Sequence, residues 1–108
     1  MLVSVICPVL DGSKYIEKNI INFFLNSRLE NKELIIVDGG STDSTRGIIQ
    51  NFIQKYPNIR LIDNPHKYVP HALNIAIKQS KGKYIARLDV HTEYPVNYLE
   101  KCIELIQK

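Results

Sequence analysis

The stretch ELIIVD, residues 33–38, sets four apolar residues in a row between two acids. A strand with one wet face alternates apolar and polar side chains, so a short unbroken run of β-formers belongs to a strand covered on both faces. That requirement points to a parallel sheet with helices on either side. Three further runs of strand length share the chain with it: VSVICPV at 3–9, IRLID at 59–63 and YIARLD at 84–89.

Helical periodicity fills the intervals. Ile16, Ile20, Phe23 and Phe24 fall on one helical face after Ser13, which is placed to cap them. Ile48, Ile49, Phe52, Ile53 and Tyr56 do the same after the loop GGSTDST, where Ser41, Thr42 or Asp43 can act as the cap. A third helix is predicted from near Pro70, with Leu73, Ala76 and Ile77 on its apolar face and Gly82 as its stop. Pro95 opens a fourth, carrying Leu99, Cys102, Ile103 and Ile106 at helical spacing. The order βαβαβαβα predicts an α/β fold, a Rossmann-like parallel sheet with right-handed crossovers and strand order 3-2-1-4. Ligands of such sheets sit beyond the carboxyl ends of the strands, where the winding reverses between strands 1 and 4.

A chain of 108 residues with 44% hydrophobic content supports one core, so residues 1–108 are expected to form a single unit. No segment approaches the length of apolar chain that a membrane span needs, and Met1 leads into a strand pattern rather than a signal peptide. The piece is therefore expected to be soluble and unprocessed. The net charge of +3 is mild and the lysines are scattered, which argues against nucleic acid as a partner while leaving anionic small molecules open. Cys7 and Cys102 lack metal-site or redox spacing and read as small buried hydrophobes in a reducing compartment.

Each strand pattern finishes at or just before an aspartate, Asp11, Asp38, Asp63 and Asp89. The predicted topology lines all four along one rim, with Asp38 and Asp89 flanking strand 1 at roughly 10 Å from each other. That spacing suits a ligand with two distinct polar ends, such as a nucleoside diphosphate. Capping or an Asx-turn explains Asp11 and Asp63 as well as ligand contact does. Asp38 precedes its turn and is read as a ligand contact. In DVH, Asp89 and His91 lie two residues apart, so in an extended segment they point the same way, and carboxylate with imidazole suits a divalent ion such as manganese. His66 and His71 read as surface residues. Arg87 inside a strand calls for an acid or a phosphate, and a rim carboxylate is one candidate partner.

In order and spacing, VSVICPVLDGSKYIEKNI, ELIIVDGGSTDSTRGII, ALNIAIKQSKGKYIARLDVH and the YP that follows resemble the nucleotide-binding half of the family 2 glycosyltransferases of the GT-A fold. The resemblance covers nearly the whole chain. It implies that Asp38 reads the uracil ring of a UDP-sugar, that Pro8, Val9, Leu10 and Asp11 pass beside the base, and that DVH stands for the family's D-x-D motif. Asp89 would then touch the ribose or the metal, and His91 would stand where a metal-binding aspartate usually does. Two departures follow: Gly39 replaces the second acid of the common VDDGS, and His91 replaces a hard oxygen ligand, favouring Mn2+ over Mg2+. The ending RLD-x-H and YP, with Asn64–Pro65 and the ALN at 72–74, is similar to the subgroup that builds bacterial exopolysaccharides of the succinoglycan type.

The resemblance further implies a metal-dependent enzyme that transfers sugar from a nucleotide-sugar to a saccharide or lipid-linked acceptor in the cytoplasm, at the inner face of the membrane where a further region attaches it. Inverting members use a carboxylate base beyond the D-x-D strand, and Glu93 stands too near the motif to match it. The chain therefore reads as the donor-binding portion of a longer enzyme, inactive alone. A different class is a nucleotide-binding module without turnover. A response-regulator receiver lacks its acidic pair and late lysine here, and neither G-x-G-x-x-G nor a phosphate loop is found.

Overall fold

The structure is a computed structural model, and it describes residues 2–65 and 68–107. His66, read as a surface residue, lies outside these. Four parallel strands form one sheet: β1 (Val3–Val9), β2 (Lys32–Asp38), β3 (Ile59–Asp63) and β4 (Tyr84–Arg87), in the order β3-β2-β1-β4. The helices are α1 (Asn22–Asn26), α2 (Thr45–Lys55), α3 (Val69–Gln79) and α4 (Tyr98–Gln107), with a π-helical turn Ile16–Ile21 leading into α1. The expected α/β topology is the one found.

Alternation along the strands sorts the core into two layers. Val3, Val5, Cys7, Leu34 and Ile36 face one side and pack with Ile16, Ile20, Phe24, Ile49, Leu99 and Ile103 from the π-helical turn, α1, α2 and α4. Ile6, Ile35 and Val37 face the other and meet Ala72 and Ala76 of α3. The two alanines bring α3 close to the sheet. Leu34, Ile35 and Ile36 are wholly buried, which accounts for the unbroken apolar run; each such side chain stabilises the fold by about 1.5–3 kcal/mol.

Several boundaries differ from the sequence expectation. Ser13 caps nothing: its amide donates to Asp43 instead, and the first helix opens as a π-turn that buries Asn19, Ile20 and Ile21 in succession. The third helix ends at Gln79, and Gly82 belongs to the entry of β4. There a Cβ would come within 2.6 Å of the Ser4 amide nitrogen, so glycine is required by close approach. Gly82 donates its amide to Ser4 Oγ, Ser4 donates to Glu33 at 2.5 Å, and Glu33 also accepts the Lys81 amide and Arg60. This buried cluster ties the start of β4 to β1 and β2. The fourth helix begins at Tyr98, three residues after Pro95, whose carbonyl accepts the Tyr98 amide. Ile77 and Ile106, placed on apolar faces, are about half exposed, at 48% and 54%. β4 stops at Arg87 rather than at Asp89, although the Leu88 amide still donates to the Ile6 carbonyl.

Candidate functional site

The carboxyl ends of β1, β2 and β3 lie level, since Val9 pairs with Asp38 and Asp38 with Asp63. Beyond them the chain turns sharply. Asp11 adopts a left-handed φ of 51°, which aspartate tolerates better than most residues. Gly12 follows because a Cβ there would sit 2.7 Å from Val9 Cγ2 and 3.1 Å from Val90 Cγ2.

The first two rim aspartates are bound into this turn. Asp11 Oδ1 accepts the amides of Thr42 at 2.7 Å and Asp43 at 3.3 Å, while its own amide donates to Ser41 Oγ. Gly12 donates its amide to Thr45 Oγ1, and Ser13 donates to Asp43. Asp38 is buried, and its carboxylate accepts the Gly40 and Ser41 amides, the Ser41 hydroxyl and Arg46 Nη1 at 3.0 Å. Burial alone would raise the Asp38 carboxyl, but the Ser41 hydroxyl and amide, Arg46 and Gly40 outweigh it and hold the group below its ordinary range. Arg46 reaches on to Asp63 at 2.5 Å, so one guanidinium joins the ends of β2 and β3. Of the three candidate caps, Asp43 is the one that takes the amide and hydroxyl of Thr45, which with the Ser13 amide draw its carboxyl down to about 2.

The fourth rim aspartate is arranged differently. Thr92 donates its amide to the Asp89 carbonyl, and the Asp89 carboxylate accepts the His91 amide at 3.0 Å. Residues 89–92 therefore form a tight turn, not the extended segment expected, because the strand hydrogen bonding has ended. Three contacts fix this turn. The Asp89 amide donates to Tyr94 Oη, Asn19 Nδ2 donates to the Val90 carbonyl, and the His91 ring meets Tyr15 edge-on at 5.2 Å. Both Asp89 and His91 remain exposed.

A cleft of about 260 Å³ opens between these parts. The end of β1 contributes Pro8, Val9 and Leu10; β2 contributes Val37, and Gly39 follows it; Asn64, Tyr68, Val69 and Ala72 come from the entry to α3; Arg87, Asp89, Val90 and His91 come from the end of β4 and its turn. Pro8, Val9, Leu10, Asp89 and His91 thus line one cleft. Asp11 and Asp38 stand outside the lining. Arg87 is exposed and takes no rim carboxylate among the described residues; Arg46 is the arginine that does so. Burial, reinforced by the Asp89 charge, pushes the Cys7 thiol up, with Arg87 acting the other way. Cys7 is buried in the core, as expected.

Sequence reasoning missed Arg46, Asn19 and Tyr94. The first two carried signals. A cation in the first turn of a helix opposes the helix dipole and needs a local acid, and Asn19 interrupts an otherwise apolar stripe.

Among the described residues no group of three or more His, Cys, Asp or Glu side chains could hold a metal ion by itself. Asp89 and His91 are two potential donors, fewer than such a group needs, and the turn at 89–92 removes the extended geometry on which their pairing was predicted.

Known proteins resemble this chain in sequence and fold. The chain is 31% identical over 102 residues to the succinoglycan biosynthesis protein ExoA of Rhizobium meliloti, covering 93% of this chain and 31% of that protein. The structure of S. aureus TarS in complex with UDP-GlcNAc superposes with a TM-score of 0.82 at 25% identity, over 99% of this chain and 31% of that one. The mannosyltransferase PcManGT from Pyrobaculum calidifontis, solved with GDP-Man and Mn2+, shares the fold at a TM-score of 0.78 and 23% identity, over 86% of this chain and 28% of that one. The chain thus spans about a third of the length of these proteins. The family model for glycosyl transferase family 2 matches residues 4–108, and the chain belongs to that family, with the GT-A type of fold.

Proposed function

We propose that this chain is the donor-binding part of a glycosyltransferase that takes a nucleotide-sugar, a UDP-sugar by preference, and serves polysaccharide synthesis. The observation that carries this reading is the convergence of Pro8, Val9 and Leu10 with Asp89 and His91 on one cleft at the β1/β4 switch point. The base lies against the apolar end, beside Pro8, Leu10 and Gly39, and the diphosphate lies toward Asp89 and His91. Asp38 serves the site through its loop: by fixing Gly40 and Ser41 it holds Gly39 at the cleft. TarS bound to UDP-GlcNAc supports the uridine assignment, and PcManGT with GDP-Man and Mn2+ supports a diphosphate with a cation.

Asp89 and His91 would hold the cation, with the imidazole favouring Mn2+ over Mg2+. When bound, such an ion supplies Lewis-acid stabilisation to the departing diphosphate. The chain's own residues bind and orient the donor, and the Tyr94 and Asn19 contacts keep the Asp89 turn in place while they do so. The acceptor, a saccharide or a lipid-linked sugar, and the base that deprotonates it belong to the longer protein. The likeness to ExoA supports an exopolysaccharide product. No helix among the described residues is long and apolar enough to cross a membrane, and we place the reaction in the cytoplasm on the strength of the two free thiols, Cys7 and Cys102.

Calorimetric titration of UDP, with and without Mn2+, tests the reading. Binding that strengthens with Mn2+, and loses that gain in Asp89→Ala and His91→Ala, is the expected result. UDP affinity unchanged in both variants overturns the site.

A further inference from the structure

Arg87 is the residue whose sequence signal the proposed site leaves unexplained. It is the last residue of β4, paired with Ile6 of β1, so it shares the sheet face that Ile6 and Ile35 present to α3. An arginine at such a position ordinarily meets an acid. Among the described residues none of the rim acids pairs with it: Asp38 and Asp63 share Arg46, Asp11 binds the loop amides, and Asp89, open to solvent, accepts the amide of His91. Arg87 is exposed and lines the cleft instead.

The charge pattern of the cleft gives this placement a consequence. Among the described lining residues, Arg87 and Asp89 are the two that carry a full charge at neutral pH. A diphosphate brought against Asp89 alone would meet repulsion from the carboxylate. A guanidinium two residues away offsets that charge. It also presents paired N–H donors in a plane that matches two phosphate oxygens, which a hydrated point cation does not.

Resting on the donor-site reading above, we infer that Arg87 is a diphosphate anchor of the cleft, binding the phosphate oxygens of the nucleotide directly and independently of any metal at Asp89 and His91. The cleft then holds the diphosphate by two separate means. Part of its affinity for a nucleoside diphosphate over the bare nucleoside persists without a divalent ion.

Titrations of the wild-type chain, Arg87→Gln and Arg87→Lys with UDP and with uridine, in chelator and in Mn2+, test this, and circular dichroism melts check that each variant folds. In Arg87→Gln, UDP affinity falls about ten- to a hundredfold in both chelator and Mn2+, the range for losing a charge-assisted hydrogen-bonding partner, while uridine affinity stays as in the wild type. Arg87→Lys recovers part of the loss, since the charge returns without the planar fork. Wild-type UDP binding by a folded Arg87→Gln overturns the anchor and leaves the donor site standing. Equal loss of UDP and uridine overturns it too, assigning Arg87 to the shape of the cleft. Failure of the folded wild-type chain to bind UDP overturns the donor-site reading, and the anchor with it.

Discussion

Asp38, the last residue of β2, and Asp89, two residues past β4, both stand at the carboxyl end of a strand that borders β1, yet they are used in opposite ways. The Asp38 carboxylate is buried and receives two amides, a hydroxyl and a guanidinium. The Asp89 carboxylate is exposed at a cleft and receives one amide from its own turn. A carboxylate whose lone pairs are filled by its own fold builds a loop, whereas one left open can meet a ligand. The rim thus divides into a rigid half, from Asp11 to Asp63 around Arg46, and an open half, from Arg87 to His91.

The largest expected effect separates the halves by stability. Asp38→Ala leaves Arg46 beside a void and strips the Gly40 and Ser41 amides of their acceptor, which should cost about 3 kcal/mol in urea denaturation. Asp89→Ala should cost less than about 1 kcal/mol, since the residue is exposed, and should instead abolish the gain in UDP affinity that Mn2+ brings. Equal destabilisation by the two variants would dissolve the distinction.

Gly12→Ala strikes the seam between the halves, because its methyl would press on Val9 and Val90 together. Overpacking of this kind costs about 1–3 kcal/mol, and the displaced Val90 carries Asp89 and His91 with it. UDP affinity and stability should therefore fall together in this variant. Asn19→Ala is milder. It leaves the Val90 carbonyl without its side-chain donor, costing about 1–2 kcal/mol, and loosens the turn without changing any side chain that lines the cleft.

The smallest effect is set by pH. Asp38 and Glu33 both titrate below their ordinary values of 3.8 and 4.5 in the fold, Glu33 because Ser4, Lys81 and Arg60 outweigh the cost of its burial. The unfolded chain therefore binds more protons in acid. Their stabilisation is complete above those ordinary values and is lost as pH falls through the folded ones. Denaturation midpoints should drop below about pH 4, and the drop should be shallower in Glu33→Gln.

Much of this was legible in the chain. The β order and the placing of the cleft followed from ELIIVD and from the alternation of periods, because burial on both faces leaves a strand little choice of residues. The residues after each strand were less so. Ser13, Asp43 and Ser41 are all competent caps by type, and which one serves is decided by backbone groups roughly thirty residues away, through contacts such as Ser13 with Asp43 and Asp11 with Ser41. The end of β4 differs from the expectation for a local reason: Leu88 continues the apolar run, but Asp89 takes the His91 amide and closes a turn. Arg87 looked like a partner for the rim acids, and Arg46, from the first turn of α2, already held that place.

The most direct test of the division is an amide nitrogen–proton correlation spectrum of the chain with saturating UDP and a trace of Mn2+, whose unpaired electrons broaden nearby signals. The account predicts that UDP shifts the amides of Val9, Leu10 and Gly39, and that Mn2+ broadens those of Arg87 to Thr92 before any other. Broadening centred instead on Ser41, Arg46 and Asp63, with the Asp89 turn unaffected, would contradict it.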